Sequence, residues 1–440
     1  MGNQPERYSQ YKKGIWLYLI LLIFEGALRK WFLPGLAGPL LLIREPIVIW
    51  LVFVGFNRGW LSNIYVRAIV TISSISFLMT MLVGHQNILT GLYGWRIYLF
   101  HVPFIFVVGK VLDRNDVLKM GRFILYVSIP MSVLIMLQFY SPQMAIVNRG
   151  VGGDMEGAGF SGALGFFRPS GTFSFTSGFV IYQLLVGCFL FYFLVSNATL
   201  PSQQRIKPFL LWIMLGCFLL CIPYSISRTN LFQSILVLAF MMVGTILNKD
   251  SKVKTQLFRL VPISIVVLIA LALSGLADDS INAFTDRFQT ASDVEGGGAG
   301  AVSNRYFGGM LDGLVPDNAP FFGYGLGLGT NVGINLAGGR SPFGYELEWN
   351  RITNECGMLL GWAIIAIRLI FAASIFKRAY ASLRKQKDML PWMLSIGVLL
   401  TFPQGQLGIP TNLGFSVILA SLALASFNKS VIVTKSSQGI

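Results

Sequence analysis

An all-α, polytopic membrane fold is the class this sequence predicts, and three observations predict it. Hydrophobic residues fill 54% of the 440 positions and charged residues only 12%, where soluble domains carry about 25% charged. Apolar runs of roughly 17–25 residues recur along the chain, each long enough to cross a hydrocarbon core of about 30 Å. Lys and Arg collect in short loops at alternate ends of those runs, the positive-inside arrangement.

The elements follow in order. About 12 transmembrane helices fit, at 14–33, 38–56, 66–83, 95–112, 120–140, 171–196, 208–224, 227–247, 260–277, 350–376, 391–408 and 411–427. The first holds Glu25 and Arg29 and has no small-residue cleavage site after it, so it reads as a retained span and not a signal peptide. With the N-terminus in the cytoplasm, inner segments hold about two-thirds of the 34 Lys and Arg and nearly every Lys. Both termini are therefore expected to be cytoplasmic. The chain divides into an N-terminal scaffold (1–170), central helices (171–277), a large outer loop (278–349) and C-terminal helices (350–440).

Charge and composition also exclude. A net charge of +15 that follows topology, with no basic face, argues against nucleic acid. Cys188, Cys217, Cys221 and Cys356 lack metal-ligand spacing and read as packing residues. With only His85 and His101 besides, no metal and no cofactor are expected.

The outer ends are rich in Arg, whose planar fork suits phosphate and carboxylate, whereas Lys acts as a point charge. Arg44, Arg96, Arg168, Arg228, Arg287, Arg305, Arg340 and Arg351 fall there. A snorkelling anchor at the lipid headgroups would use the same residue type. Ser225-Ile226-Ser227-Arg228-Thr229-Asn230 opens a span, so Arg228 and a helix N-terminus together offer a phosphate site. Loop 141–170 ends in Phe167-Arg168-Pro169-Ser170-Gly171-Thr172-Phe173. The loop from Ala277 to Asn350 contains an amphipathic helical stretch around Ala283–Phe288. Arg305 follows, and then the run Gly323-Tyr324-Gly325-Leu326-Gly327-Leu328-Gly329, whose glycines allow close backbone approach to a diphosphate or sugar. Next come Glu346, Glu348, Arg351 and Glu355. Helical spacing puts the last three on one face, either as a carboxylate site for proton transfer or as an ion-paired helix start.

Taken in order, these pieces resemble the O-antigen ligase and polymerase superfamily of bacterial envelope glycosyltransferases. The resemblance covers Arg168 to Gly361, about half the chain. It rests on Arg168-Pro-Ser-Gly-Thr-Phe, Ser227-Arg228, Arg305, Phe322-Gly323-Tyr324-Gly325-Leu326-Gly327 and Glu355-Cys-Gly-Met-Leu-Leu-Gly361. It implies a GT-C-like fold with a large periplasmic loop, and undecaprenyl-diphosphate-linked glycans as donor and acceptor. Membrane lipids, a chain-length regulator and a flippase are the other partners it implies. Carried over, Arg228 and Arg305 hold the lipid diphosphate. Arg168, Tyr324, Glu348, Arg351 and Glu355 contact substrate or fix the loop, and Trp349 and Tyr345 offer sugar-stacking faces. Family ligases carry His-Asn nine residues before the motif glutamate, where this chain has Glu346-Leu347. The resemblance therefore points to a polymerase or a related exopolysaccharide-assembly enzyme, with Glu346, or else Glu348, as general base.

Two other classes stay open. One is a ligase that transfers glycan to a lipid or protein acceptor. The other is a lipid-linked glycan flippase or transporter, for which midplane polar sites and repeat symmetry would be expected. Gln404, Gln406 and Asn412, near the last outer turn, suit an enzyme or a transporter.

Overall fold

The protein is described by a computed structural model over residues 8–157, 159–248, 274–275, 277–295, 311, 313–315, 319–339, 342–343 and 347–428. In chain order its main elements are α1 (Ser9–Ala27), α2 (Glu45–Asn57), α3 (Ile64–Leu82), α4 (Ile88–Val111), α5 (Arg114–Tyr140), β1 (Phe160–Ala163) and β2 (Phe166–Arg168). They continue with α6 (Thr176–Ser196), α7 (Pro208–Tyr224), α8 (Arg228–Leu247), α9 (Asp278–Glu295), α10 (Asn331–Leu336), α11 (Glu348–Gln386), α12 (Met389–Thr401) and α13 (Pro410–Ala425). Eight helical stretches among the described residues are long and apolar enough to cross a membrane, which marks a multi-pass membrane protein. Helix underlies every expected span except 260–277, which lies outside the described residues apart from 274, 275 and 277.

Polar residues set the helix starts. The side chains of Asn63, Asn87 and Ser227 accept hydrogen bonds from first-turn amides of α3, α4 and α8, and Asp113 forms a capping box with Asp116 on α5. Each cap satisfies amides that have no partner inside the helix. Prolines set other limits. Pro46 and Pro410 begin α2 and α13, and Pro403 follows the end of α12, since proline lacks the N–H that an interior position needs.

Three features depart from the sequence expectation. The all-α class holds except for a hairpin, in which β1 and β2 pair antiparallel with Ala163 opposite Phe166. Leu164 and Gly165 form its two-residue turn, both at positive φ (51° and 80°), the geometry that matches strand twist. Second, the amphipathic stretch expected around Ala283–Phe288 extends to the whole of α9.

The third departure concerns α11. A straight helix would hold residues 348 and 368 about 30 Å apart, yet Arg368 Nη1 lies 2.6 Å from Glu348 Oε1. Gly357, at φ 75° and ψ 167°, breaks the helix and reverses it. The leg Glu348–Cys356 thus folds back along the membrane leg that begins at Met358. Gly361 lies at their contact, where an added Cβ would stand 3.0 Å from Thr353 Cα. The expected span 350–376 is therefore two antiparallel helical legs.

The bundle is built around α6. Every residue from Gly178 to Ser196 is buried, the signature of a helix that is apolar all round and packed on all sides. α5, α7, α8, α12 and α13 pack against it, while α13 also lies against the second half of α4 and α11 packs on α3 and α12.

Candidate functional site

At the end of the bundle that carries Arg168 and Arg228, a cavity of about 440 Å³ opens between α6, α8, α9, α11 and α13. Four helices begin at its wall. Thr176 and Ser177 of α6, Arg228 and Thr229 of α8, Glu348 and Trp349 of α11, and Asn412 of α13 all line it from the first helical turn. Each helix start carries about half a positive charge in its unpaired amides. The C-terminus of α12, at Leu400 and Thr401, is the opposing dipole.

Three guanidinium groups join those dipoles: Arg168 from the end of the hairpin, Arg228 from α8 and Arg287 from α9. Burial, then repulsion from Arg287 and Arg228, holds the Arg168 guanidinium below its ordinary pKa. Its Nε is buried with no hydrogen-bond partner among the described residues, and its guanidinium lies 5.9 Å from the Phe160 ring. Neither Arg168 nor Arg287 has an acidic partner among the described residues. Like charges gathered in a partly buried cleft are stabilised by an anion.

Arg168 does not sit there by chance of a loose loop. Lys30, fully buried, donates from Nζ to Ser170 Oγ at 3.1 Å and to the carbonyls of Gly171 and Phe173 at 2.7 and 2.9 Å. Gln138 accepts the Gly171 amide at 2.7 Å, and Thr172 Oγ1 donates to the Ile23 carbonyl at 2.6 Å. Gly171, at φ 60°, makes the turn. The Arg168-to-Phe173 segment is thereby pinned to α1 and α5.

Glu348 is the acidic residue in the lining, and it is already saturated. Arg351 grips it through Nε and Nη2, each at 2.9 Å, and Arg368 adds Nη1 at 2.6 Å. Three of about four carboxylate acceptor positions are filled. Arg351 Nη1 also donates to Glu355 Oε2 at 2.6 Å, and Glu355 Oε1 accepts the Gly329 amide at 2.7 Å. Arg368 finishes on the carbonyls of Phe402 and Gly405. Two arginines and two glutamates cancel, so this network adds rigidity behind the cavity and no net charge to it.

Several expected contacts resolve differently from their sequence assignment. Arg168, Arg228 and Glu348 meet at the cavity; Arg351 and Glu355 lie behind its wall and fix loop geometry. The run Gly323–Gly329 packs on the protein itself. The Tyr324 amide donates to the Asn354 carbonyl at 2.7 Å and the Gly325 amide to the Glu355 carbonyl at 3.1 Å, while Leu326 N donates to Thr80 Oγ1 at 2.9 Å. An added Cβ on Gly323 would strike Gly357 N, and one on Gly327 the Thr90 carbonyl. Tyr324 stacks on Phe343 with ring centres 5.7 Å apart and does not line the cavity. Arg44 is spent on Glu25 at 2.8 Å and the Pro410 carbonyl at 3.0 Å, and Arg96 pairs with Glu45. Arg305, Tyr345 and Glu346 lie outside the described residues; Leu347, the chain neighbour of Glu346, lines the cavity.

Sequence reasoning grouped Arg287 with the outer arginines suited to anions without singling it out, and it missed Lys30 as a clamp. It also passed over Arg368, although a cation within an apolar span signals an internal partner. Comparison with known protein families, curated proteins and solved structures finds no match to this chain.

Proposed function

We propose that the chain is an integral-membrane glycosyltransferase that polymerises undecaprenyl-diphosphate-linked oligosaccharide units in bacterial envelope polysaccharide assembly. The observation that carries this reading is the cavity where three arginines and four helix N-termini converge. A diphosphate between lipid tail and glycan is the anion such a place suits: it sits at a membrane edge and bears charge that arginine forks bind in pairs. The ordered motifs from Arg168 to Gly361 support the same reading. In it the bundle has about twelve spans in a GT-C-like arrangement, with the cavity and the 278–349 loop facing the periplasm and both termini in the cytoplasm.

The reaction is a displacement at the anomeric carbon of the donor. An acceptor sugar hydroxyl forms the new C–O bond as the bond from that carbon to the diphosphate oxygen breaks. The hydroxyl proton passes to a carboxylate, assigned to Glu346, the chain neighbour of the cavity-lining Leu347. The departing lipid diphosphate takes the electron pair, and Arg168, Arg228, Arg287 and Arg305 are the groups assigned to its charge. Glu348, saturated by Arg351 and Arg368, keeps the α11 reversal in place and is not the base.

Proteoliposomes given the lipid-diphosphate oligosaccharide of the host, with chelator present, test this directly. Longer glycans on a gel are expected from the wild type. Arg228→Ala is expected to lower the rate about 100- to 1,000-fold, as loss of a charge-stabilising donor does. Intact substrate that has merely crossed the bilayer would replace the transferase reading with a flippase.

A further inference from the structure

Two amides in the cavity carry oxygens that have no partner among the described residues. Gln233 is 9% exposed and Asn412 5% exposed, both line the cavity, and the side-chain oxygen of each is buried without a hydrogen-bond partner. A carboxamide carries two donors and an oxygen that accepts, and turning it by 180° exchanges them without changing its shape. Buried polar groups in folded proteins are otherwise nearly always paired. Two unpaired amide oxygens in one cleft therefore ask for a ligand that carries O–H or N–H donors.

Their placement says which part of a ligand that is. Gln233 lies five residues beyond Arg228 on α8, about 7.5 Å further along the helix axis, the distance of a sugar ring joined to a phosphate held by the arginine. Thr401 and Ser177 add hydroxyls to the same wall, and Trp349 adds a flat apolar face. The amides themselves bring no charge: the cavity's three arginines are taken up by the diphosphate, and Glu348 is neutralised by Arg351 and Arg368. With the diphosphate already occupying the arginines, a sugar carboxylate buried among neutral amides would lose its hydration without a counter-charge of its own.

We infer that Gln233 and Asn412 form a subsite for the sugar attached to the donor diphosphate, selecting a neutral sugar with free hydroxyl or acetamido groups over an acidic one. The inference rests on the lipid-diphosphate reading of the cavity. It adds a determinant of sugar class to a site whose arginines bind any diphosphate.

The test measures binding to the full chain in nanodiscs with three probes: polyprenyl diphosphate alone, polyprenyl-diphosphate N-acetylglucosamine and polyprenyl-diphosphate glucuronic acid. For the wild type, the neutral sugar is expected to tighten Kd about tenfold over the bare diphosphate, the worth of two ordinary hydrogen bonds. Glucuronic acid is expected to give no gain. Gln233→Leu and Asn412→Leu are each expected to reduce the neutral-sugar gain and to leave the bare-diphosphate Kd within about twofold. The subsite is overturned if the wild type binds bare and neutral-sugar probes equally, if it binds the acidic sugar as tightly as the neutral one, or if the variants weaken all probes in the same proportion. The wild-type comparison stands whether or not the variants fold. Failure of the wild type to bind bare polyprenyl diphosphate overturns the anion-site reading itself, a result distinct from loss of the sugar increment.

Discussion

Arg368 shows how the site's electrostatics are settled one side chain at a time. It is 1% exposed, and its three donor groups end on Glu348 and the carbonyls of Phe402 and Gly405. Removing one member of such a buried network leaves charges and carbonyls without partners, at a cost of about 3–5 kcal/mol. Arg368→Met is expected to lower the melting temperature in detergent by that loss of stability. The double variant Arg368→Met/Glu348→Leu is expected to recover part of it, because the orphaned carboxylate is then gone. An unchanged melting temperature in Arg368→Met would contradict the network. At this scale the arginines of the cavity were readable in the chain, since an Arg at the edge of an apolar span among Ser and Thr is costly without a purpose. The partner of Arg368 was not readable: Glu348 lies twenty residues away, out of reach along any straight helix. Gln233 was hidden differently, as one amide within an apolar run.

The reversal of α11 gives the segment Glu355-Cys-Gly-Met-Leu-Leu-Gly361 a physical meaning. Glu355 fastens the glycine loop through Gly329, Gly357 supplies the turn, and Gly361 lets the two legs touch. Gly357→Ala requires a backbone conformation that costs a side-chain-bearing residue about 1–3 kcal/mol, and its Cβ would also meet the Phe321 carbonyl. A lower melting temperature and lost activity are expected together. Gly38→Ala, a position with nothing within 4 Å, is the control expected to change neither; equal melting of the two variants would contradict the turn. The described apolar helices were legible from hydropathy, to within a few residues at most starts. The reversal was not, because both legs continue one helical pattern and only φ at Gly357 separates them. The hairpin escaped for a related reason: a two-residue turn with leucine in the left-handed region carries a weaker signal than Asn-Gly.

Across the whole molecule, one end is fastened by Lys12 to Asp116 at 2.5 Å and by Arg114 to Asp388. The other holds the Glu25–Arg44 and Glu45–Arg96 pairs and, at the cavity wall, the Glu348–Arg368 pair. The lysine-rich end is expected in the cytoplasm and the arginine-rich end outside, so that anchoring and recognition are divided between the two membrane faces. In the proposed function a lipid-diphosphate glycan occupies the cavity at the arginine-rich end. Photolabelling in nanodiscs measures that most directly, with a polyprenyl-diphosphate oligosaccharide bearing a diazirine on its first sugar. Mass spectrometry is expected to place the label on the starts of α6 and α8, between Thr176 and Ile181 and between Arg228 and Gln233. Excess unlabelled donor and Arg228→Ala are each expected to abolish it. Label spread over lipid-facing positions such as Phe53 and Phe56, and unmoved by excess donor, would contradict the account.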